Sequence, residues 1–237
     1  FRRARGSEVS ELPSFPRQRR MILEAVARAD SVVCVARALK DGLARLGAPE
    51  EKIVVLRNGV DLDMFHPLDR DAIRTRMGLS GPVIASVGHL IERKGHDLVI
   101  DALTDLPGAT LLIAGEGEER RALEAQAALL GMADRVRFLG RIEHGALAEI
   151  YNAADALALA SSREGWPNVL LESMACGAPC VATPVWGSTE VIAAPEAGRL
   201  ASERSGKAMA NALKALFADP PARAATRLYA ERFSWEE

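Results

Sequence analysis

The feature that most constrains this sequence is a regular alternation of short apolar segments with amphipathic segments, which begins at Gly81. The apolar segments are rich in small and β-branched residues and predict buried strands at 82–88, 109–115, 136–140, 156–160 and 178–183. Helical patterns lie between them at 95–103, 118–130, 145–151 and 167–175. Strands that are apolar throughout and alternate with helices are typical of parallel sheets. We therefore predict an α/β fold in which helices cover both faces of a parallel sheet.

The first part of the chain does not follow this pattern. A single strand-helix-strand unit lies before residue 58, followed by a turn signal at Asn58-Gly59 and a stop at Pro67. One such unit cannot bury both faces of a sheet by itself. We therefore predict that residues 1–77 are the trailing part of another domain together with its linker. Residues 78–237 are then a C-terminal domain.

Composition excludes several classes of protein. A chain of 237 residues with 49% hydrophobic and 26% charged residues can form an ordinary soluble core. Its formal net charge of −2 argues against a nucleic-acid partner. No apolar run approaches the roughly 20 residues of a membrane span, and no signal-peptide pattern is present. The cysteines lie in apolar stretches, which is typical of buried thiols, so we expect a cytoplasmic protein. The first residue is Phe1 and not Met, so we expect this chain to be part of a longer protein.

One basic cluster stands out near the start of the chain, formed by Arg2, Arg3, Arg5, Arg17, Arg19 and Arg20. Such a cluster is typical of a solvated face or a frayed terminus. The alternative is contact with an acidic acceptor or with anionic lipid. The lipid contact would place the protein peripherally at the inner membrane surface.

The most informative segment is the stretch from Glu164 to Glu172, which follows a predicted strand and begins a predicted helix. Pro167 suits the first helical position, and the free N–H groups of that helix would point into the ligand crevice, where they suit a diphosphate. Glu172 lies about one and a half turns into the helix and can accept hydrogen bonds from a ribose diol. Glu164 can hold hydroxyls of a second sugar. A plain helix cap explains one acidic residue at this place but not two.

Two glutamates separated by seven residues resemble the signature of the group 1 (family 4) retaining glycosyltransferases of the GT-B fold. The likeness covers about residues 50–237. It includes the segments Asn58–Asp61 with Phe65, Gly88 to Gly95, Ala114–Gly117, Val136–Gly140, Met174–Thr183 and Gly187–Ile192.

The resemblance implies that residues 78–237 are a Rossmann-like domain that binds a nucleoside-diphosphate sugar, and that residues 1–77 belong to the N-terminal acceptor domain. It implies catalytic roles for Lys94, which would neutralise the diphosphate, and for Glu164, which would contact the transferred sugar. Glu172 would hold the ribose. The donor-binding residues that it implies are Gly88, His89, Arg93, Lys94, Gly117, Arg141, Ile142, Glu164, Gly165, Trp166, Pro167, Asn168, Val169 and Glu172.

The chemistry implied by the resemblance needs no cofactor and no metal. Departure of a nucleoside diphosphate builds negative charge, which a lysine and a helix N-terminus stabilise more in the transition state than in the ground state. Backbone groups of Arg141-Ile142 would hold the base. The family retains the anomeric configuration, and the acceptor is a sugar, a lipid-linked sugar or a small molecule.

The sequence departs from the family pattern at His89, where an arginine often partners the lysine. A neutral imidazole offers one donor where a guanidinium offers a fork. Our hypothesis is a His89–phosphate contact that strengthens as the ring becomes protonated. Arg93 either compensates at the phosphates or is a solvated surface charge.

Other motifs have simpler interpretations. Asp61-Leu62-Asp63 resembles a metal-binding DxD motif but follows a turn, so we interpret it as turn chemistry. Gly115-Glu116-Gly117 begins a dinucleotide fingerprint that Arg120 interrupts, which favours a tight turn. Ser188 and Thr189 suit a helix cap or a second phosphate contact. Three histidines are predicted at surface or interface positions: His66, His96 and His144.

These observations together predict a retaining glycosyltransferase of which this chain supplies the donor-binding half. It would be inactive without the N-terminal domain of the same protein. Two alternatives remain open: a nucleotide-sugar epimerase of GT-B fold, and a non-catalytic subunit that binds nucleotide sugars. The donor base, the donor sugar, the acceptor and the oligomeric state cannot be predicted from motif spacing.

Overall fold

The computed structural model describes residues 2–4 and 14–235. Arg5 of the predicted basic cluster lies outside these residues, and so do the side chains of Arg2 and Arg3. Arg17, Arg19 and Arg20 lie on the first of the described helices, and Arg20 pairs with Glu24 one turn later. Among the described helices, none combines the length and the apolar character needed to cross a bilayer.

The first part of the chain forms a small parallel sheet. Its strands are β1 (Arg2–Ala4), β2 (Val32–Cys34) and β3 (Ile53–Val55), in the order β1-β2-β3. Helix α1 (Pro16–Arg28) leads into β2, and helix α2 (Arg37–Arg45) joins β2 to β3. The predicted strand-helix-strand unit is present, and a third strand extends it.

The second part is built on a six-stranded sheet in which every pair of neighbouring strands is parallel. The strands are β4 (Val83–Val87), β5 (Thr110–Ala114), β6 (Val136–Gly140), β7 (Ala156–Leu159), β8 (Cys180–Ala182) and β9 (Gly198–Leu200). Their order is β6-β5-β4-β7-β8-β9, so the chain moves outward from β4 first to one edge and then to the other. The crevice at such a reversal, beside the carboxyl ends of the central strands, is where ligands bind in open α/β sheets.

Helices cover both faces of this sheet, as predicted. The helices are α3 (Arg70–Arg76), α4 (His96–Leu103), α5 (Arg120–Leu129), α6 (Leu147–Ala153), α7 (Asn168–Ala175), α8 (Trp186–Val191), α9 (Gly206–Ala218) and α10 (Arg223–Glu231). Alternate residues of a strand enter different cores because successive side chains point to opposite faces. Leu112 and Ala114 of β5 pack with α6 and α7, whereas Leu111 and Ile113 pack with α4 and α9.

Three local expectations needed correction, and one helix was not predicted. Helix α3 lies near the end of residues 1–77, where the sequence pattern predicted no helix. Strand β9 follows the last strand that the pattern predicted. Pro167 is the N-cap of α7 and not its first helical residue. Val185 is the N-cap of α8, so neither Ser188 nor Thr189 caps that helix. Each of these elements is short, and short elements are set by tertiary packing more than by local pattern.

The cysteines are buried, as predicted. Burial raises the pKa of the Cys176 thiol to about 12 and raises that of Cys180 further in the same direction. These thiols therefore remain protonated and pack as small apolar side chains.

Candidate functional site

A cleft of about 670 Å³ opens at the carboxyl ends of β4, β5 and β6. Its walls are formed by Val87, Gly88, His89, Ala114, Gly115, Glu116, Gly117, Arg141, Ile142 and Leu147. Five of the predicted donor-binding residues are among them: Gly88, His89, Gly117, Arg141 and Ile142. The cleft therefore lies at the place where the strand pattern predicted the site.

Glycines shape this cleft by allowing its loops to touch. Gly115 has a φ of +149°, and a side chain there would run into the carbonyl of Gly88. A side chain at Gly117 would run into the backbone of Leu90. Both glycines are thus required by loop packing, which agrees with the tight-turn interpretation of Gly115-Glu116-Gly117.

Lys94 and Glu164 form a largely buried ion pair beside the cleft. The Lys94 Nζ donates to Glu164 Oε1 at 2.7 Å, and the buried Ser161 hydroxyl donates to the same oxygen at 2.7 Å. The Lys94 side chain also passes over Gly88, since a Cβ built on Gly88 would lie 3.6 Å from two of its carbons. Lys94 therefore joins the cleft wall to the carboxylate that was predicted to contact the transferred sugar.

Glu172 is held from two sides. The Tyr151 hydroxyl donates to its Oε2 at 2.8 Å, and His144 Nε2 lies 3.1 Å from its Oε1. Burial raises the pKa of the Tyr151 phenol well above its usual range, and the negative charge of Glu172 acts in the same direction. Tyr151 therefore stays a hydrogen-bond donor at any physiological pH. The carboxylate is buried but its Oε1 faces a ring that is largely exposed.

The loop between the two glutamates uses its side chains for support. Trp166 Nε1 donates to the carbonyl of Asn58 at 3.0 Å, and the Asn58 amide donates to Asn168 Oδ1 at 3.1 Å. Gly187 packs against Gly165, because a Cβ on Gly187 would collide with the carbonyl of Gly165. The ligand contacts predicted at Gly165, Trp166, Asn168 and Val169 were backbone contacts, and these side-chain bonds leave that prediction untouched.

His89 was expected to contact a phosphate, and Arg93 either to compensate there or to be a solvated surface charge. The Arg93 Nη1 donates to the carbonyl of Arg163 at 3.0 Å, which ties the Lys94 turn to the residue before Glu164. His89 is exposed on the cleft wall. The Arg93 guanidinium thus supports the Glu164 loop, and the proposed phosphate contact of His89 remains a hypothesis.

The prediction of a surface or interface position was wrong for His96. The ring is buried, its Nδ1 lies 2.8 Å from the Ser86 hydroxyl, and its Nε2 lies 3.3 Å from the carbonyl of His89. Burial lowers the pKa of His96 to about 4, and the charge of Lys94 acts in the same direction. A neutral His96 therefore anchors the backbone of the cleft wall from inside the protein.

Sequence reasoning missed three residues around the glutamates: Ser161, Tyr151 and His144. A tyrosine on an otherwise apolar helix face needs a partner for its hydroxyl when it is buried, and this was the available signal for Tyr151. His144 and Ser161 carried no comparable signal. His144 lies 28 residues from Glu172 and reaches it only through the tertiary fold.

The Asp61-Leu62-Asp63 motif forms a turn. The Asp61 carboxylate accepts the backbone N–H groups of Asp63 and Met64 at 3.1 and 2.8 Å. Within the described part of the chain, no three His, Cys, Asp or Glu side chains are grouped so that they could hold a metal ion.

The strand order, the two buried faces and the cleft at the carboxyl edge define a Rossmann-like domain of GT-B type. Solved structures share this fold. HepE from Anabaena, in complex with UDP and glucose, is 22% identical with a TM-score of 0.88 over 98% of this chain and 67% of that chain. Sucrose-phosphate synthase from Thermosynechococcus elongatus is 28% identical with a TM-score of 0.85 over 97% of this chain and 61% of that chain.

Sequence comparison places the chain in a family. The model described as glycosyl transferases group 1 matches residues 69–233, and the model described as glycosyltransferase family 4 matches residues 7–64. This chain belongs to the group 1 glycosyltransferases. A relative from Xylanimonas cellulosilytica, named D-inositol 3-phosphate glycosyltransferase, is 36% identical over 232 residues, which cover 90% of this chain. The chain spans 56% of the length of that relative.

Proposed function

We propose that this chain is the donor-binding half of a retaining glycosyltransferase that transfers a sugar from a nucleoside-diphosphate sugar. The observation that carries the proposal is the pair of buried carboxylates, Glu164 and Glu172, on either side of the N-terminus of α7. Each carboxylate is held by protein donors, Glu164 by Lys94 and Ser161, and Glu172 by Tyr151 and His144. Both carboxylates can therefore accept hydrogen bonds from hydroxyl groups of a ligand.

The positions of these residues suggest one orientation for the nucleotide sugar in the site. The ribose diol would bind Glu172, the base would lie against the backbone of Arg141-Ile142, and the diphosphate would lie between Lys94 and the first turn of α7. The sugar would then reach Glu164. Uridine diphosphate is the first nucleotide to test, because the Anabaena structure was solved in complex with UDP and glucose.

The proposed chemistry uses this chain's own charges. As the bond between the sugar and the β-phosphate breaks, negative charge grows on the leaving oxygen, and the Lys94 ammonium and the α7 N-terminus stabilise it. The ammonium replaces the charge that a metal ion would supply, so we propose transfer without a metal. Attack from the face that the diphosphate leaves would retain the anomeric configuration.

The acceptor side belongs to the rest of the protein in this proposal. A relative carries the name D-inositol 3-phosphate glycosyltransferase, so a phosphorylated polyol joins sugars and lipid-linked sugars as an acceptor class. We propose that the N-terminal domain of the same protein completes the acceptor pocket and that the present chain binds donor without transferring it. We further propose a cytoplasmic protein, in peripheral contact with the inner membrane surface if its acceptor is lipid-linked.

Isothermal titration calorimetry tests the proposal with uridine, guanosine and adenosine diphosphates and their sugars. One nucleotide class should bind saturably, and Glu172→Gln should weaken it by about 10-fold or more, since a hydrogen bond to a charged group is lost. The matched control is Glu149→Gln, which changes an exposed carboxylate on α6 that pairs with Arg76. Binding of no nucleotide, or equal binding by wild type and Glu172→Gln, would overturn the proposed placement of the donor.

A further inference from the structure

The two carboxylate oxygens of Glu172 lie in different surroundings. Its Oε2 accepts from the fully buried Tyr151, and its Oε1 faces His144, whose side chain is 62% exposed. A ligand that enters from solvent therefore meets the carboxylate beside the imidazole. Accepting one hydrogen bond on each oxygen leaves each with a second lone pair in the carboxylate plane.

We propose that His144 is a positioning residue that fixes the Glu172 carboxylate for a ribose diol and so sets the preference for ribonucleotides. This inference rests on the proposed function, because it assumes that Glu172 receives the nucleoside. The terminal torsion of a glutamate side chain has a broad energy minimum. With the hydrogen bond from Tyr151 alone, the Glu172 carboxylate could therefore still change its orientation. A second donor on the other oxygen removes that freedom.

The imidazole itself is held in place. The ring of the buried Phe65 meets the His144 ring edge to face, with centroids 5.1 Å apart, and it meets Tyr151 in the same way at 5.9 Å. Phe65 is fixed in turn by Arg227, which donates to its carbonyl at 2.6 Å. The two side chains that donate to Glu172, Tyr151 and His144, thus both pack against the Phe65 ring.

The tautomer of the His144 ring follows from its hydrogen-bond partner. A carboxylate offers only lone pairs, so His144 Nε2 must carry the proton and donate to Oε1. A glutamine side chain at this position can bring an amide N–H group to about the same distance from Glu172, whereas alanine removes both the donor and the ring. His144→Gln should therefore keep part of the effect that His144→Ala loses.

The experiment compares ligands that differ only at the diol. Calorimetry would measure uridine, guanosine and adenosine diphosphates and their 2′,3′-dideoxy forms on the wild-type chain, His144→Ala, His144→Gln and the control His66→Ala. His66 is an exposed histidine whose Nδ1 contacts the carbonyl of Asp63, away from Glu172. Wild type should prefer the ribose form, and His144→Ala should shrink that preference by about 5-fold, the usual net weight of one hydrogen bond.

The dideoxy ligand provides the readout that separates positioning from folding. Its affinity should stay within about 2-fold in His144→Ala, since it lacks the groups that Glu172 would bind. An unchanged ribose preference in His144→Ala, or an equal loss for both ligands, would overturn the role of His144 and leave the proposed function standing. Failure of the wild-type chain to bind any of these nucleotides would overturn the proposed function and this inference together.

Discussion

His96 shows how a single side chain acquires a role from its surroundings. Its ring bridges the Ser86 hydroxyl on β4 and the carbonyl of His89 on the cleft wall. A neutral ring satisfies both partners, because one nitrogen accepts from the hydroxyl while the other donates to the carbonyl. Protonation would place a buried charge next to Lys94.

The stability of the protein should therefore depend on pH through His96. Its folded pKa of about 4 is below the usual value of 6.5, so between these values the unfolded chain binds a proton that the folded chain does not. Stability is complete above about pH 6.5 and falls by about 3 kcal/mol as the pH drops towards 4. Urea unfolding between pH 4.5 and 7.5 should show this slope in wild type and lose it in His96→Gln. The exposed His66→Gln should keep it; a slope that survives in His96→Gln would assign the effect to other groups.

Gly95 is a position where the backbone permits only glycine. Its φ of +70° and ψ of +31° place it in the left-handed region, and a Cβ would collide with the backbone of Ala160. Gly95→Ala should destabilise the fold by about 2 kcal/mol or more, measured by chemical denaturation. Gly78→Ala is the matched control, since Gly78 has a φ of +58° but no atom within 4 Å of the place that a Cβ would take. The control should cost about 1 kcal/mol, and equal losses would show that the contact with Ala160 adds nothing.

At the scale of elements, helix α2 is capped by a residue from the other part of the chain. Its N-cap is Ala36, whose methyl group cannot accept a hydrogen bond. The Ala38 N–H donates instead to Glu190 Oε1 on α8 at 3.0 Å, and Glu190 Oε2 pairs with Arg57 at 2.8 Å. The Arg57 guanidinium lies 5.5 Å from the centre of the Trp166 ring. One carboxylate thus joins α2, the segment that follows β3 and the loop between Glu164 and Glu172.

Removing this carboxylate should weaken the contact between the two parts of the chain. Glu190→Ala should lower the free energy of unfolding by about 1–2 kcal/mol, the usual effect of losing a helix cap and a partly exposed ion pair. Hydrogen exchange at the Ala38 amide should become faster. Glu196→Ala removes an exposed acid and should change the free energy by less than about 0.5 kcal/mol. An unchanged exchange rate at Ala38 would show that Glu190 does not cap α2.

At the scale of the whole molecule, the two parts share one hydrophobic cluster. Leu39 of α2, Phe65 of the segment between β3 and α3, and Leu171 of α7 all belong to it. The end of the described chain closes the same region, since the Val60 N–H donates to the carbonyl of Phe233 at 2.8 Å. We therefore expect residues 14–235 to unfold as one cooperative unit.

The change Leu39→Ala tests this expectation. Leu39 is fully buried, so its truncation should cost about 2–5 kcal/mol. All three tryptophans lie after residue 160, so fluorescence follows the second part while the change lies in the first. The urea midpoints from fluorescence and from far-ultraviolet circular dichroism should move together. A fluorescence midpoint that stays at its wild-type value would mean that the two parts unfold separately.

The positions of strands β4 to β8 along the chain could be predicted, because strand and helix periodicities are properties of local sequence. The edge of the sheet that holds the cleft could be predicted as well, since ligands collect at the carboxyl ends of parallel strands. The assignment of Gly88, His89, Gly117, Arg141 and Ile142 to the cleft came from a family resemblance, and the structure brings these residues together. Short elements such as α3 and β9 could not be predicted, since they exist only where the rest of the fold provides a surface for them.

The sequence alone determined a parallel α/β fold with two glutamates at the carboxyl edge of its sheet. Only the tertiary structure decided which donors hold those glutamates, that His96 is buried, that Arg93 supports a loop, and that Glu190 caps a distant helix. The physical reason is the sequence separation over which each property is determined. Periodicity is set by neighbours within a few residues, whereas a side chain's partners, and through them its charge and orientation, come from segments that meet only when the sheet and its helices have assembled.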